Sequence, residues 1–182
     1  MKEFYQDLKQ AIRTVPDFPI PGIQFRDISS LLENPLAFNK ALVDLTNLSF
    51  KATKIIGIES RGFVFGAPIA RDLDLPFIMA RKPGKLPNKT YKKNYDLEYG
   101  KATLELQTNT DIVSDDQVVI IDDLIATGGT ALACADLVHE NFGVPKNNIT
   151  VLAIIDLTDL GGFVKITEQG YNAGTLIEYE GE

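Results

Sequence analysis

The segment Val118–Thr130 reads VVIIDDLIATGGT. A β-branched apolar run leads into two adjacent carboxylates, Asp122 and Asp123, then past Leu124 and Ala126 into Thr127-Gly128-Gly129-Thr130 and a helical stretch. Glycines let backbone N–H groups close around an anion, and a helix N-terminus adds its positive end. Thr127 and Thr130 can donate hydroxyl hydrogen bonds, whereas Asp122 and Asp123 repel a phosphate and accept from sugar hydroxyls instead. The string suits a 5′-phosphate over Ala126–Thr130 and a ribose diol at the aspartates. It lacks the lysine of a P-loop and the glycine spacing of a dinucleotide fingerprint. A capped turn with an acidic pair is the competing reading, which a Gly-Gly turn taken alone would favour.

A second corner, Glu59-Ser60-Arg61-Gly62, follows an apolar strand and opens another helix. Two anion-binding corners match a ribose phosphorylated at two places, with a pyrophosphate at the second. Arg61 could instead cap the helix at the surface. Between the corners, residues 81–101 carry seven Lys or Arg against two acids, so this window is +5 and the rest of the −7 chain is −12. A basic stretch on an acidic chain fits a small polyanionic ligand; a solvated loop fits it equally. Arg81, Lys82 and Lys85 suit pyrophosphate contacts, and Pro83, Gly84, Pro87 and Asn88 give residues 82–99 the composition of a lid. A lid would exclude water from a cationic sugar intermediate.

These groups need a scaffold. A chain of 182 residues fits one domain and buries about 70% of its surface on folding, a full core without staples. Cys134 is the single cysteine, so an internal disulfide or a cysteine-clustered zinc site is excluded. The net charge of −7 argues against coating nucleic acid. No apolar run is long enough for a bilayer, and the first ten residues hold no signal-peptide core; the expectation is a cytoplasmic protein with no membrane partner. Periodicity predicts helices over 2–13, 62–73, 127–141 and 162–169, and another starting with Asn34 as N-cap and Pro35 in its first position. Strands are expected over 54–59, 76–81, 101–107, 118–122, 150–156 and 175–179. The proline-rich VPDFPIPGIQF should be an ordered, irregular crossing. Apolar strands alternating with helices give an α/β fold with a mostly parallel sheet covered on both faces. Ligands then sit beyond the carboxyl ends of the strands. Cys134 reads as a small core residue and His139 as a surface residue at a helix end.

The Val118–Thr130 string resembles the phosphoribosyl-pyrophosphate binding motif of type I phosphoribosyltransferases. PDFPIPGIQFRDIS (16–29), IESRGFVFGAPIA (58–70), RKPGKLP (81–87) and YDLEYGK (95–101) resemble the adenine branch of that family, in its order and spacing. The resemblance spans nearly the whole chain, and the first and last of these segments discriminate the branch. It implies a type I phosphoribosyltransferase fold: one domain over 1–182, a twisted, mostly parallel sheet flanked by helices, a small N-terminal hood from about 1–30, and a mobile lid over about 82–99. It also implies a homodimer, a non-proline cis peptide at Glu59–Ser60, and an Arg81 that reaches towards a neighbouring subunit's site.

The implied reaction joins adenine to phosphoribosyl pyrophosphate (PRPP), giving AMP and pyrophosphate. The resemblance assigns Glu98 the purine proton, which a carboxylate on a closing loop could take and return; taken alone, Glu98 would be a solvated loop charge. Tyr99 would shield the sugar. Base selection falls to Pro21–Asp27 and Leu124, with Phe25 and Leu124 sandwiching the ring and Arg26 adding a polar contact. Phe25 can also be a hood core residue, and both can hold together. Gln24 stands where an apolar residue is expected, which matters little if only its main chain meets the base. Mg²⁺ would bind mainly through PRPP oxygens rather than protein side chains. A nucleic-acid-binding regulator on the same fold would need a basic face or an added domain, and this chain offers neither. An enzyme for xanthine or guanine would need different base-reading backbone, because a 6-oxo acceptor replaces a 6-amino donor.

Overall fold

The computed structural model describes residues 2–97 and 100–180. Helix α1 (Lys2–Ala11) hands over to a two-stranded antiparallel hairpin, β1 (Arg13–Pro16) and β2 (Gln24–Asp27). The helix stops short of the predicted residue 13 because Arg13 is taken by the hairpin. Its Nη2 donates to Asp27 Oδ2 at 2.7 Å and its backbone N–H to Ser30 Oγ at 2.8 Å. The stretch expected to cross irregularly is therefore partly a ribbon. Pro19 and Pro21 fall in its connecting turn and Pro16 at a strand end, where a missing N–H costs no ladder bond. A single-turn helix α2 (Ser29–Leu32) follows, then α3 (Pro35–Leu48). The latter begins as predicted: Asn34 Oδ1 accepts from the N–H groups of Leu36 and Ala37, and Pro35 occupies the first turn.

Strand and helix then alternate through β3 (Lys54–Ile58), α4 (Arg61–Asp72) and β4 (Phe77–Ala80). After an antiparallel ribbon, β5 (Thr90–Leu97) and β6 (Gly100–Gln107), come β7 (Val118–Ile121), β8 (Leu124–Ile125), α5 (Gly129–Phe142), β9 (Ile149–Leu157), α6 (Gly162–Glu168) and β10 (Asn172–Tyr179). The central sheet runs β10-β9-β7-β3-β4, with β8 beside β9, and every pairing in it is parallel. Strands β3 and β7 are buried along their whole length. That is why KIIGI and VVII read as unbroken apolar runs rather than alternations. Leu8, Leu31, Leu45, Phe65 and Ile69 pack against one face. Cys134, Leu137, Val138 and Ile166 cover the other, so Cys134 is the core residue expected.

Two further expectations change. Residues 90–97 of the expected lid form β5, which sequence reading missed because Lys93 occupies an inward position between Tyr91 and Tyr95 and hides their alternation. His139 is half-buried rather than a surface residue, and its Nδ1 lies 2.8 Å from Val144 O, a contact that needs the proton on Nδ1.

Candidate active site

The parallel strands end at one edge of the sheet, and a cleft of about 830 Å³ opens there. Residues 122–131 form one wall, Glu59, Ser60 and Arg61 another, Lys82 and Pro83 a third, and Tyr95 with Lys101–Thr103 of the ribbon a fourth.

The phosphate loop is built from backbone. Gly128 sits at φ +77° as the N-cap of α5, and no side chain caps that helix. Its first-turn N–H groups therefore lack internal partners and carry the positive end of the dipole. Gly162, the first residue of α6, supports the loop from behind: its N–H donates to Ala126 O at 3.1 Å. A Cβ on Gly162 would overlap Ala126 O and stand 2.5 Å from Gly128 N, so only glycine fits there.

The two aspartates differ. Asp122 Oδ1 accepts from the Asp123 N–H at 2.9 Å. The Asp123 carbonyl takes two N–H groups of β9, from Ile154 and Ile155, each at 3.1 Å, so its backbone is pinned. The Asp123 side chain is 3% exposed, and its Oδ2 lies 3.1 Å from Arg61 Nη1 without hydrogen-bond geometry to any described donor. It keeps accepting capacity. Burial pushes the Asp122 carboxyl well above its usual range, and the neighbouring Asp123 charge adds to this. Burial also raises Asp123, against the opposing pull of Arg61. Both groups are therefore suited to hydrogen bonding with hydroxyls, and a ligand cation or donor would bring them back towards the ionised form.

Arg61 reaches Asp123 because α4 starts hard against the end of β7. A Cβ on Gly62 would overlap Ile121 O. The Glu59–Ser60 peptide is cis, as the resemblance implied. Glu59 lines the cleft, but its charge is already paired within the chain. Its carboxylate accepts from Arg81 Nε (3.2 Å) and Nη2 (3.1 Å) and from the Lys82 N–H (2.9 Å). The Arg81 hydrogen bonds, above all, hold its carboxyl below the usual range. Glu59 thus shapes the turn carrying Lys82.

The structure brings together Glu59, Ser60, Arg61, Lys82, Asp122, Asp123, Leu124, Ala126, Thr127, Gly128, Gly129 and Thr130 around the cleft. Gly62, Arg81 and Lys85 lie off its walls; Arg81 is held within its own chain by Glu59 and by Lys85 O at 3.2 Å. Gln24, Phe25 and Arg26 also lie off these walls, in the hood hairpin. Phe25 stacks edge-on with Phe18 at 5.0 Å, and the Arg26 guanidinium lies 4.2 Å above the Tyr179 ring. Glu98 and Tyr99 lie outside the described residues. Sequence reading gave no site role to Gly162, Tyr95, Lys101 or Thr103, although Tyr95 and Lys101 fall within the YDLEYGK segment. Gly161-Gly162 between a core strand and a helix repeats the pattern of Gly128-Gly129, so that signal was available; Thr103 gave none.

The model of the phosphoribosyl transferase domain family matches residues 27–153. The adenine phosphoribosyltransferase of Haemophilus ducreyi is 47% identical over 177 residues, 96% of each chain. The chain belongs to the adenine phosphoribosyltransferase family. Solved adenine phosphoribosyltransferases agree in fold. That of Thermoanaerobacter pseudethanolicus is 40% identical, with a TM-score of 0.87 over 96% of this chain and 99% of its own. That of Giardia lamblia, complexed with 9-deazaadenine, is 35% identical, with a TM-score of 0.88 over 96% and 97%. The type I phosphoribosyltransferase fold is thereby established for this chain, and a family member holds an adenine analogue.

Proposed function

We propose that this protein transfers the 5-phosphoribosyl group from PRPP to adenine, releasing pyrophosphate and forming AMP, a step of purine salvage. One observation carries the reading: a backbone phosphate loop and a cationic corner, Arg61 with Lys82, open on the same cleft, with half-buried Asp122 and buried Asp123 between them. A ribose phosphorylated at both ends needs that arrangement. The first-turn N–H groups of α5 and the hydroxyls of Thr127 and Thr130 take the 5′-phosphate. Asp122 and Asp123 accept the ribose hydroxyls. Ser60, Arg61 and Lys82 receive the pyrophosphate and stabilise it as it leaves.

The sugar passes through an oxocarbenium-like transition state, as in glycoside cleavage. The bond from ribose C1 to pyrophosphate oxygen breaks, a bond from C1 to a purine ring nitrogen forms, and the ring proton passes to Glu98. Leu124 lies against one face of the base, and Gln24, Phe25 and Arg26 of the hood complete the adenine site by moving over it.

Among the described residues no group of three or more His, Cys, Asp or Glu is placed to hold a metal. The donor set fits Mg²⁺ carried in on PRPP oxygens, with Asp122 and Asp123 nearby, rather than a protein cage. The ion would supply charge neutralisation on the leaving pyrophosphate. We further infer one working domain over 1–182, with the hood as above, acting as a homodimer in the cytoplasm. Among the described residues no helix is long and apolar enough to cross a membrane.

The test is AMP formation from PRPP and Mg²⁺ with each free base in turn. Adenine should react far faster than hypoxanthine, guanine or xanthine; comparable turnover with an oxopurine would overturn the assignment.

A further inference from the structure

Ribbon β5–β6 lies along α5 through alternate residues of β5. Tyr91 meets Phe142 edge-on, with ring centroids 5.5 Å apart, at the C-terminal end of the helix. Lys93 Nζ reaches Asp136 Oδ2 at 3.1 Å and Glu140 Oε1 at 2.6 Å in its middle. Tyr95 packs against the same core and lines the cleft. The three share a face because strand side chains alternate, and Lys92 and Asn94 between them are exposed. Asp136 and Glu140 are one turn apart on α5 and so stand together. Asp136 is itself held by the Tyr171 hydroxyl at 2.7 Å. The Glu140 hydrogen bond, first of all, raises the Lys93 pKa, so the ammonium stays charged.

Neither anion corner uses this group. One strand repeat beyond it, Tyr95 pairs with Ala102, flanked by Lys101 and Thr103, and all four line the cleft. At the other end of the contact, α5 begins at the phosphate loop. The base of the ribbon is tied elsewhere, by the Arg81–Glu105 bridge, while the Lys92–Glu105 ion pair at 2.8 Å joins its two strands to each other. Among the described residues, Lys93 is the ionic tie between the ribbon's middle and the helix that presents the phosphate donors.

We infer that Lys93 is a positioning residue for the phosphoribosyl transfer proposed above, and the inference rests on that reading. By holding β5 on Asp136 and Glu140, it sets the spacing between the ribbon wall, Tyr95 and Lys101, and the phosphate loop opposite. Without it the ribbon keeps its base and its two tyrosine contacts but loses its fixed place along α5. Misplacement of a wall by a fraction of an ångström is felt in turnover before it is felt in binding at the untouched loop.

The experiment compares Lys93→Met, which keeps the stem and removes the charge, with Lys93→Arg, which can still bridge both carboxylates. Lys93→Met should lower kcat at least about fivefold and raise KM for PRPP about threefold, while AMP affinity changes less than about twofold. Lys93→Arg should restore at least about half of kcat. Amide exchange over residues 90–95 and 101–107 should quicken in the Met variant and not in the Arg variant. Unchanged exchange in Lys93→Met overturns the tie, and faster exchange with unchanged kcat overturns the positioning role. AMP affinity falling in step with kcat overturns it too, since that marks general damage. Failure of the wild-type protein to form AMP would instead refute the transfer reading and the positioning role with it; the exchange comparison still judges the tie itself.

Discussion

Gly162→Ala adds one methyl group at a position outside the phosphate loop. A Cβ there would stand 2.5 Å from Gly128 N and 2.8 Å from Thr127 C, and would overlap Ala126 O. Relaxed non-bonded contacts sit at about 3.5–4.0 Å, so the loop or the start of α6 must retreat by about 1 Å. The obstructing atoms are main-chain atoms of the segment proposed to cradle the 5′-phosphate. A displacement of that size can cost about 100-fold. Dissociation constants for AMP and PRPP, read by titration calorimetry, should weaken together by about 10- to 100-fold. The 3.1 Å bond from Gly162 N to Ala126 O should lengthen, with a modest fall in Tm. A folded variant that binds AMP as the wild type does would show that α6 yields instead of the loop, and the buttress argument would fail.

Gly128→Val should also weaken AMP and PRPP binding together, because a β-branched residue cannot readily adopt φ +77° and meets Gly162 O; unchanged AMP affinity would contradict the loop assignment. Glu98→Gln should lower turnover by at least about 100-fold, while PRPP affinity, held at the two corners, stays within a few-fold. Near-normal turnover in that variant would move the proton transfer away from Glu98. The Asp27 carboxyl is held at about 2, first by the Arg13 hydrogen bond and then by Ser29. A folded value below the ordinary one means its stabilisation is complete above about pH 4 and is lost as pH falls towards about 2. The denaturation midpoints of wild type and Asp27→Asn should therefore differ near neutrality and converge near pH 2; a constant gap would refute the pairing.

Much of the fold was legible where burial is symmetric. A strand covered on both faces must be apolar throughout, so KIIGI and VVII announced themselves, and Asn34-Pro35 marked the start of α3. Of the ribbon, β6 was legible as an alternating strand but β5 was not, because its inward positions include a lysine whose charge is neutralised by residues more than forty positions away. No local pattern carries that information. The hood hairpin was hidden for a related reason: the Arg13–Asp27 pair that ends α1 is a tertiary contact. At the site, the glycine loop and the aspartates could be read as chemistry. The commitment of Glu59 and Arg81 to each other could not, since either charge alone looks available.

The contrast between α3 and α5 has a consequence for handling this protein. Helix α3 is capped by its own Asn34, whereas α5 has no side-chain cap and starts on a left-handed glycine. A bound phosphate would finish α5 as Asn34 finishes α3, making the ligand a piece of the helix. Heat resistance then becomes a gauge of occupancy. A ligand at 100 times its dissociation constant adds about 2.7 kcal/mol to the folded state. Inorganic phosphate, AMP and PRPP should each raise the melting temperature in order of affinity, with the largest slowing of amide exchange in the first turn of α5.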